Sequence, residues 1–213
     1  MGKYDYILFD WDGCLAKTLD ILLNTYKNLF AELNIYPDNN TIIQEVFGDW
    51  NGPKKLGVRD IENFSKKFVS NVDKSYQKAR LNDGVEETLK ILKMKGKKMA
   101  LITTALQSTI MPALENNNIE GMFEVVLTGN DVTKHKPDPE MIYKAVKLLN
   151  GTMDQSIIVG DSKSDLGAGN NAGVDTLLYY PKINKMFYEI EFLKKYNPNF
   201  IINDFCEIIK VVT

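Results

Sequence analysis

Asp10 and Asp12 stand two residues apart at the end of an apolar run, and Gly13 follows them where the chain must turn. Residues i and i+2 of an extended segment point to the same side, so both carboxylates can face one ligand or metal ion. Two like charges held this close disfavour joint ionisation unless a cation or a shared proton compensates. A divalent metal would resolve that conflict, leaving one carboxylate to attack and the other to carry a proton.

The composition is that of a soluble protein rather than a nucleic-acid or membrane protein. The chain has 213 residues, 44% of them hydrophobic, and a formal net charge of -2, whereas a nucleic-acid surface usually carries a basic excess. Two cysteines are too few for a disulfide framework. No apolar run reaches the length of a membrane span or of a signal peptide core. We therefore expect a cytoplasmic protein with no nucleic-acid or membrane partner.

Five short apolar runs alternate with amphipathic helical patterns. The runs are continuous rather than alternating, as in strands that are buried on both faces. Strands and helices that alternate in this way predict an α/β fold, a Rossmann-like doubly wound parallel sheet. Ligands bind such sheets beyond the carboxyl ends of the strands. The predicted strands are residues 4–10, 98–103, 124–127, 156–160 and 174–179.

Residues 16–82 interrupt that rhythm with two helical faces, 19–33 and 61–76, on either side of a turn-rich stretch, 47–55. We interpret them as an all-helical cap domain, inserted into a core domain formed by residues 1–15 and 83–213. An insertion at this point emerges from the ligand-binding edge of the sheet and is placed to act as a lid. Beyond Pro181, a helix near 187–196, a short run at 200–202 and a final helix complete the core.

Further polar residues follow the predicted strands. Thr103 and Thr104 come after the second strand, Lys136 precedes Pro-Asp-Pro, Asp161 follows the fourth strand, and Asp165 lies one turn later. Acids, hydroxyls and a lysine that meet at one edge suit phosphoryl transfer. The acids offer Mg²⁺ the hard oxygen ligands it prefers, and the hydroxyl and ammonium neutralise phosphoryl oxygens.

Four motifs in order carry a resemblance to a known family. They are residues 9–13 (Phe-Asp-Trp-Asp-Gly), 101–103 (Leu-Ile-Thr), 136–139 (Lys-Pro-Asp-Pro) and 160–165 (Gly-Asp-Ser-Lys-Ser-Asp), the last continued by Asn-Ala-Gly at 171–173. The chain resembles the haloacid dehalogenase superfamily, in particular its phosphoglycolate phosphatase-like and beta-phosphoglucomutase-like members with a small helical cap. The resemblance implies a core of the kind described above, with the cap between the first two motifs.

The resemblance also implies a role for each acid of the first motif. Asp10 would be the nucleophile that becomes an aspartyl phosphate. Asp12 would protonate the leaving oxygen and then activate water, and its backbone carbonyl would bind Mg²⁺ beside the Asp10 carboxylate. The dehalogenases and phosphonate-cleaving relatives lack an acid at the second position, so Asp12 favours a phosphate ester as substrate.

The later motifs would supply the rest of the site. Thr103 would hydrogen-bond the phosphoryl group with help from the Thr104 amide, although Thr104 is equally well explained as a strand residue or a helix cap. Lys136 would stabilise the nucleophile and the transferring group. Asp161 would bind Mg²⁺, and Asp165 would bind it directly or through water.

We therefore expect a Mg²⁺-dependent phosphatase that acts on a small phosphorylated metabolite such as phosphoglycolate, a sugar phosphate or a nucleoside monophosphate. A phosphosugar mutase of the same superfamily uses the same acids and stays an alternative. A non-enzymatic module phosphorylated on aspartate is a weaker one, since such modules are shorter and lack a cap. Two interpretations of the turn-rich cap loop stay open. Either the loop determines substrate specificity, or it is only a charged surface with Trp50 packed on the cap helices. Its candidate residues are Asp49, Trp50, Asn51, Lys54, Lys55 and Arg59.

Overall fold

The computed structural model describes residues 3–213, apart from the side chains of residues 73 and 74, so the first two positions of the predicted core lie outside it. Within that range a single sheet has the order β3-β2-β1-β4-β5-β6, and every neighbouring pair is parallel. This confirms the predicted doubly wound sheet. The first strand lies at the centre of the sheet. The strands are β1 (Tyr6–Phe9), β2 (Lys98–Ile102), β3 (Val125–Leu127), β4 (Ser156–Gly160), β5 (Asp175–Tyr179) and β6 (Phe200–Ile202).

Helices cover both faces of the sheet and form the segment between β1 and β2. Among residues 3–213, no helix combines the length and apolar character needed to span a bilayer. The α-helices are α1 (Leu19–Glu32), α2 (Asn39–Glu45), α3 (Gly52–Lys55), α4 (Ile61–Tyr76), α5 (Val85–Met94), α6 (Gln107–Asn116), α7 (Glu140–Leu148), α8 (Lys163–Ala172), α9 (Ile190–Leu193) and α10 (Glu207–Val212).

The central strand shows why the runs are continuously apolar. Ile7 and Phe9 pack into one hydrophobic cluster together with α5, α6 and α10, whereas Leu8 packs into another together with α7 and α8. Successive side chains of a strand point to opposite faces, so a strand covered on both faces needs an apolar residue at every position. The same burial leaves only its carboxyl end open for polar groups.

The end of the chain differs from the prediction in two ways. The run at 200–202 is a sixth strand on the edge of the sheet, where the Tyr180 amide donates to the Ile202 carbonyl at 2.8 Å. Three residues are too few to show a period, so only the neighbouring strand specifies this pairing. The helix expected near 187–196 is shorter: it comprises α9 and a single 3₁₀ turn, Lys194–Tyr196.

Two stretches of chain connect the helical segment to the sheet, and they run side by side. Lys17 N donates to the Arg80 carbonyl and Asn82 N donates to the Leu15 carbonyl, each at 2.8 Å. Within the segment, α1 and α4 pack through stacked rings of Tyr26 and Phe68, whose centroids are 4.2 Å apart. The segment is therefore a packed unit whose two connections to the core are hydrogen-bonded to each other, and its apolar residues also join the core cluster.

Candidate active site

The loop after β1 brings the first motif against the acid that follows β4. The Asp10 amide donates to the Val159 carbonyl at 2.9 Å, which continues the sheet by one residue. Gly13 then turns the chain with a φ of 74°. A Cβ at this position would lie 2.0 Å from Oδ2 of Asp161, so only glycine permits both the left-handed turn and the close approach.

Lys136 lies at the centre of the acids. Its ammonium donates to Asp10 Oδ1 at 2.5 Å, to Asp165 Oδ1 at 2.6 Å and to the Ile102 carbonyl at 3.1 Å. All three charged side chains are buried. Burial alone would lower the pKa of Lys136, but the Asp10 and Asp165 carboxylates raise it above its ordinary value. The ammonium is therefore a fixed positive charge at the end of β2.

Three buried acids fit a divalent metal ion. One carboxylate oxygen from each of Asp10, Asp161 and Asp165 lies within 4.8 Å of the other two. Burial and the neighbouring carboxylates raise the pKa of Asp161, and its Oδ1 has no hydrogen-bond partner among the described residues. Burial and Asp165 likewise raise the pKa of Asp10, against the opposing effect of Lys136. A Mg²⁺ ion bound here would satisfy the free oxygen and favour the ionised forms, and oxygen-only ligands suit it.

Asp12 has different surroundings from Asp10. Its Oδ1 accepts hydrogen bonds from Thr18 Oγ1, at 2.7 Å, and from the Tyr76 hydroxyl of α4. Its carboxylate lines a cavity beneath the helical segment and is not part of the three-acid cluster. Burial raises the pKa of Asp12, and the hydrogen bonds from Tyr76 and Thr18 oppose the rise. The raised pKa favours a carboxyl group that carries a proton.

The two threonines of the second motif lie at the end of β2, with separate contacts. Thr103 is fully buried, and its Oγ1 accepts from the Ala105 amide at 3.1 Å. The Thr104 carbonyl accepts from Nε1 of Trp50 at 3.3 Å, which joins the core to the loop before α3. Thr103 therefore follows directly on the carbonyl that binds Lys136, whereas Thr104 contacts the helical segment.

Three polar residues that the sequence analysis did not single out complete the site. Asn184 is buried and donates to Asp161 Oδ2 at 3.0 Å, and Thr18 and Tyr76 hold Asp12. Asn184 belongs to a stretch interpreted only as closure of the domain, and Tyr76 belongs to an apolar helix face. Neither lies at a sequence spacing that indicates a role in the site, so only the buried polar contacts in the structure identify them.

The cap loop lies over the same cavity. Asp49 and Trp50 line it, and the Trp50 ring packs edge-on against Phe68 at 5.8 Å between centroids. Lys55 does not line it; its ammonium pairs with Glu45 at 3.3 Å and with Asp49 at 3.2 Å. Trp50 thus packs on the cap helices and also forms part of the cavity wall, and a role of the loop in substrate specificity stays a prediction.

The chain is similar to known proteins along its whole length. It is 27% identical over 219 residues to the pyrophosphatase PpaX of Bacillus cereus strain B4264, with 99% of this chain and 97% of that protein covered. A solved structure classed as a haloacid dehalogenase-like hydrolase, from Bacteroides fragilis, superposes with a TM-score of 0.86 at 24% identity, covering 97% of this chain and 100% of that one.

A second solved structure, described as a predicted phosphoglycolate phosphatase from Haemophilus somnus 129pt, has a TM-score of 0.84 at 23% identity and covers 99% of both chains. At these identities the superpositions establish the fold alone. Residues 7–179 match the family described as haloacid dehalogenase-like hydrolase, a range that contains all four motifs. This confirms the family and the enzyme class expected from the motifs: the chain belongs to the haloacid dehalogenase-like hydrolases.

Proposed function

We propose that the chain is a Mg²⁺-dependent phosphatase that hydrolyses a small phosphomonoester through a phosphorylated Asp10. The observation that carries this proposal is the unequal placement of the two acids of the first motif. Asp10 lies in the three-acid cluster against Lys136, whereas Asp12 lies apart in the cavity wall. One acid is thus placed to attack phosphorus and the other to serve the leaving group.

In the first half of the reaction, an Asp10 carboxylate oxygen attacks the phosphorus and the bond from phosphorus to the ester oxygen breaks. Asp12 gives its proton to that oxygen, and the alcohol leaves. Lys136 holds Asp10 in place and neutralises the phosphoryl oxygens as charge develops on them. Thr103 and the Thr104 amide bind the phosphoryl group.

In the second half, Asp12 takes a proton from water, and the water oxygen attacks the phosphorus of the aspartyl phosphate. Phosphate leaves and the Asp10 carboxylate is restored. Asp10, Asp161, Asp165 and the Asp12 carbonyl would hold Mg²⁺, directly or, for Asp165, through water. When bound, Mg²⁺ supplies positive charge that offsets the repulsion between the carboxylates and the phosphate dianion.

The division of the chain supports this chemistry. We assign residues 16–82 to a cap domain and residues 1–15 and 83–213 to the core, with the paired connections at 15–17 and 80–82 between them. The hydrogen bonds from Tyr76 to Asp12 and from Trp50 to Thr104 connect the two across the cavity. A cap in this position excludes bulk water from the aspartyl phosphate until the alcohol has left.

Release of phosphate from 4-nitrophenyl phosphate tests the proposal. We expect turnover with Mg²⁺, none after chelation, and none for Asp10→Asn, whereas Asp20→Asn, an exposed acid on α1, keeps full activity. Folded protein that releases no phosphate from any ester of a broad panel would contradict it. Isomerised hexose phosphate without net phosphate release would favour the mutase, and a long-lived aspartyl phosphate would favour a signalling module.

A further inference from the structure

The cavity above Asp12 is enclosed by apolar and aromatic side chains. It lies between the helical segment and the loop after β2, and its interior volume is about 60 Å³. Tyr26 and Phe68 stack in its wall, and Trp50 closes one side against Phe68. Leu106 faces them from the core. The lining of the cavity is that of a site for an apolar group.

Charged groups in this wall have one sign. The acids Asp12 and Asp49 line the cavity, and among the residues that the structure describes none of those lining it is Lys, Arg or His. The nearby cations Lys55 and Lys163 line a separate cleft on the other side of residues 47–50, where Lys55 pairs with Glu45 and Asp49. An anionic group placed in the cavity would therefore be desolvated among apolar side chains without a cation in the described part of the wall.

The position of Asp12 decides which of the two spaces holds the leaving group. Asp12 lines the apolar cavity and not the cleft, whereas Lys136 lines the cleft and not the cavity. A group that protonates the leaving oxygen must lie within hydrogen-bond reach of it. The organic part of the ester therefore extends into the apolar cavity.

We infer that the substrate is a phosphomonoester of an uncharged, largely apolar alcohol, and that esters with a second anionic group are poor substrates. This inference rests on the proposed function, because it uses Asp12 as the proton donor. The inferred substrate class differs from the substrates in the names of the similar proteins. Pyrophosphate and phosphoglycolate each carry a second anion in the group that leaves phosphorus. Such an anion would be buried in the apolar cavity without a positive partner.

A matched pair of esters tests the inference. Benzyl phosphate and 4-carboxybenzyl phosphate differ by one carboxylate that is remote from the scissile bond. We expect kcat/KM for benzyl phosphate to be at least about tenfold higher, because the carboxylate would be buried unpaired. We expect the same preference over pyrophosphate and 2-phosphoglycolate.

Two variants, one at each acid that pairs with Lys55, locate the effect. Asp49→Asn removes an acid from the cavity wall and is expected to narrow the benzyl to carboxybenzyl ratio by about threefold or more. Glu45→Gln disturbs the other partner of Lys55 but lies outside the cavity, so the ratio is expected to stay unchanged. Binding of both esters to Asp10→Asn with Mg²⁺, measured by calorimetry, gives the same ratio without turnover.

The outcomes separate the two proposals. If no ester releases phosphate, the proposed function fails and this inference fails with it. If esters are hydrolysed but the carboxylated ester or pyrophosphate is used as well as benzyl phosphate, only the inference on substrate class is overturned. A ratio that Asp49→Asn leaves unchanged, or that Glu45→Gln changes equally, overturns the placement of the leaving group in this cavity.

Discussion

Asn184 donates its side-chain amide to Oδ2 of Asp161 at 3.0 Å and to the carbonyl of Gly13 at 3.1 Å. It thereby joins the loop after β1 to the acid after β4, although 23 residues separate Asn184 from Asp161. Because Oδ2 of Asp161 is held in this way, Oδ1 is left as the oxygen without a partner among the described residues. Asn184 thus orients the acid that we assign to the metal.

Asn184→Ala is expected to weaken Mg²⁺ binding without abolishing it. Loss of a residue that orients a metal ligand typically lowers metal affinity by about 10- to 100-fold. The Mg²⁺ concentration for half-maximal phosphatase activity measures this change, and Asn203→Ala, an exposed position, is the control. An unchanged Mg²⁺ requirement in a folded Asn184→Ala protein would show that Asn184 only holds the loop after β1 and does not orient the metal ligand.

Removal of the metal is expected to destabilise the protein through the three-acid cluster. Mg²⁺ at the proposed site would bind the folded state alone, so millimolar Mg²⁺ should raise Tm, and chelation should reverse the rise. Asp161→Asn should abolish the response, because it removes the carboxylate whose Oδ1 has no hydrogen-bond partner among the described residues. Thermal denaturation with and without Mg²⁺ measures the change in Tm. An equal rise of Tm with Mg²⁺ in wild type and in Asp161→Asn would show that the ion binds elsewhere.

Tyr76→Phe is expected to lower kcat more than it changes KM. The Tyr76 hydroxyl holds the Asp12 carboxyl group, and a hydrogen bond between neutral groups contributes about 0.5–1.5 kcal/mol, or roughly two- to tenfold in rate. Steady-state kinetics on 4-nitrophenyl phosphate measures the change. Tyr36→Phe, whose ring is 76% exposed, is the control. A KM effect with unaltered kcat would restrict Tyr76 to lining the cavity.

Gly13→Ala is expected to cost far more stability than Gly96→Ala. Both glycines have a φ of 74°, where an L-residue costs about 1–2 kcal/mol. A Cβ at Gly96 meets nothing within 4 Å, whereas one at Gly13 lies 2.0 Å from Asp161 Oδ2, and overpacking adds about 1–3 kcal/mol. Urea unfolding compares the two. Equal losses would mean that the Asp161 side chain can move aside.

The free energy of unfolding should depend on pH through Asp175, which binds the residues just before the first strand. Burial would raise the pKa of Asp175, but hydrogen bonds from Lys3 and Tyr4 lower it below 3.8. A lowered pKa contributes stability above pH 3.8 that is lost as the pH falls through the folded-state value. Asp175→Asn should therefore reduce the free energy of unfolding at pH 6 by about 1 kcal/mol, and by less at pH 3.

The control for that measurement is Asp83→Asn, because the Asp83 side chain is 97% exposed. We expect it to change the free energy of unfolding little at either pH. A loss for Asp175→Asn that is the same at pH 6 and pH 3 would contradict an ionised Asp175 as its source.

Much of the fold followed from local patterns. The continuous apolar runs predicted β1, β2, β3, β4 and β5 to within one or two residues at each end, because burial on both faces allows few other compositions. The edge strand β6 was not predicted as a strand. Its three residues carry no period of their own, and they pair only because β5 is already in place.

The acids, the lysine and the threonines of the motifs could be named from the sequence, since they lie in segments that connect the carboxyl ends of strands to the next helix, or in the first turn of that helix, and those ends lie at one edge of the sheet. The structure brings Lys136 into contact with Asp10 and Asp165, as that rule requires. Thr18, Tyr76 and Asn184 could not be found in this way. Their contacts join segments that are remote in the chain, and no spacing rule connects them.

The sequence by itself determined the class of chemistry, because the order and residue types of the four motifs permit few alternatives to phosphoryl transfer. Only the tertiary structure decided how the site divides. It buries Asp10 against Lys136 and turns Asp12 toward Tyr76 in an apolar cavity. That division depends on packing between the helical segment and the sheet, and the pKa of each carboxyl group depends on the burial that this packing creates.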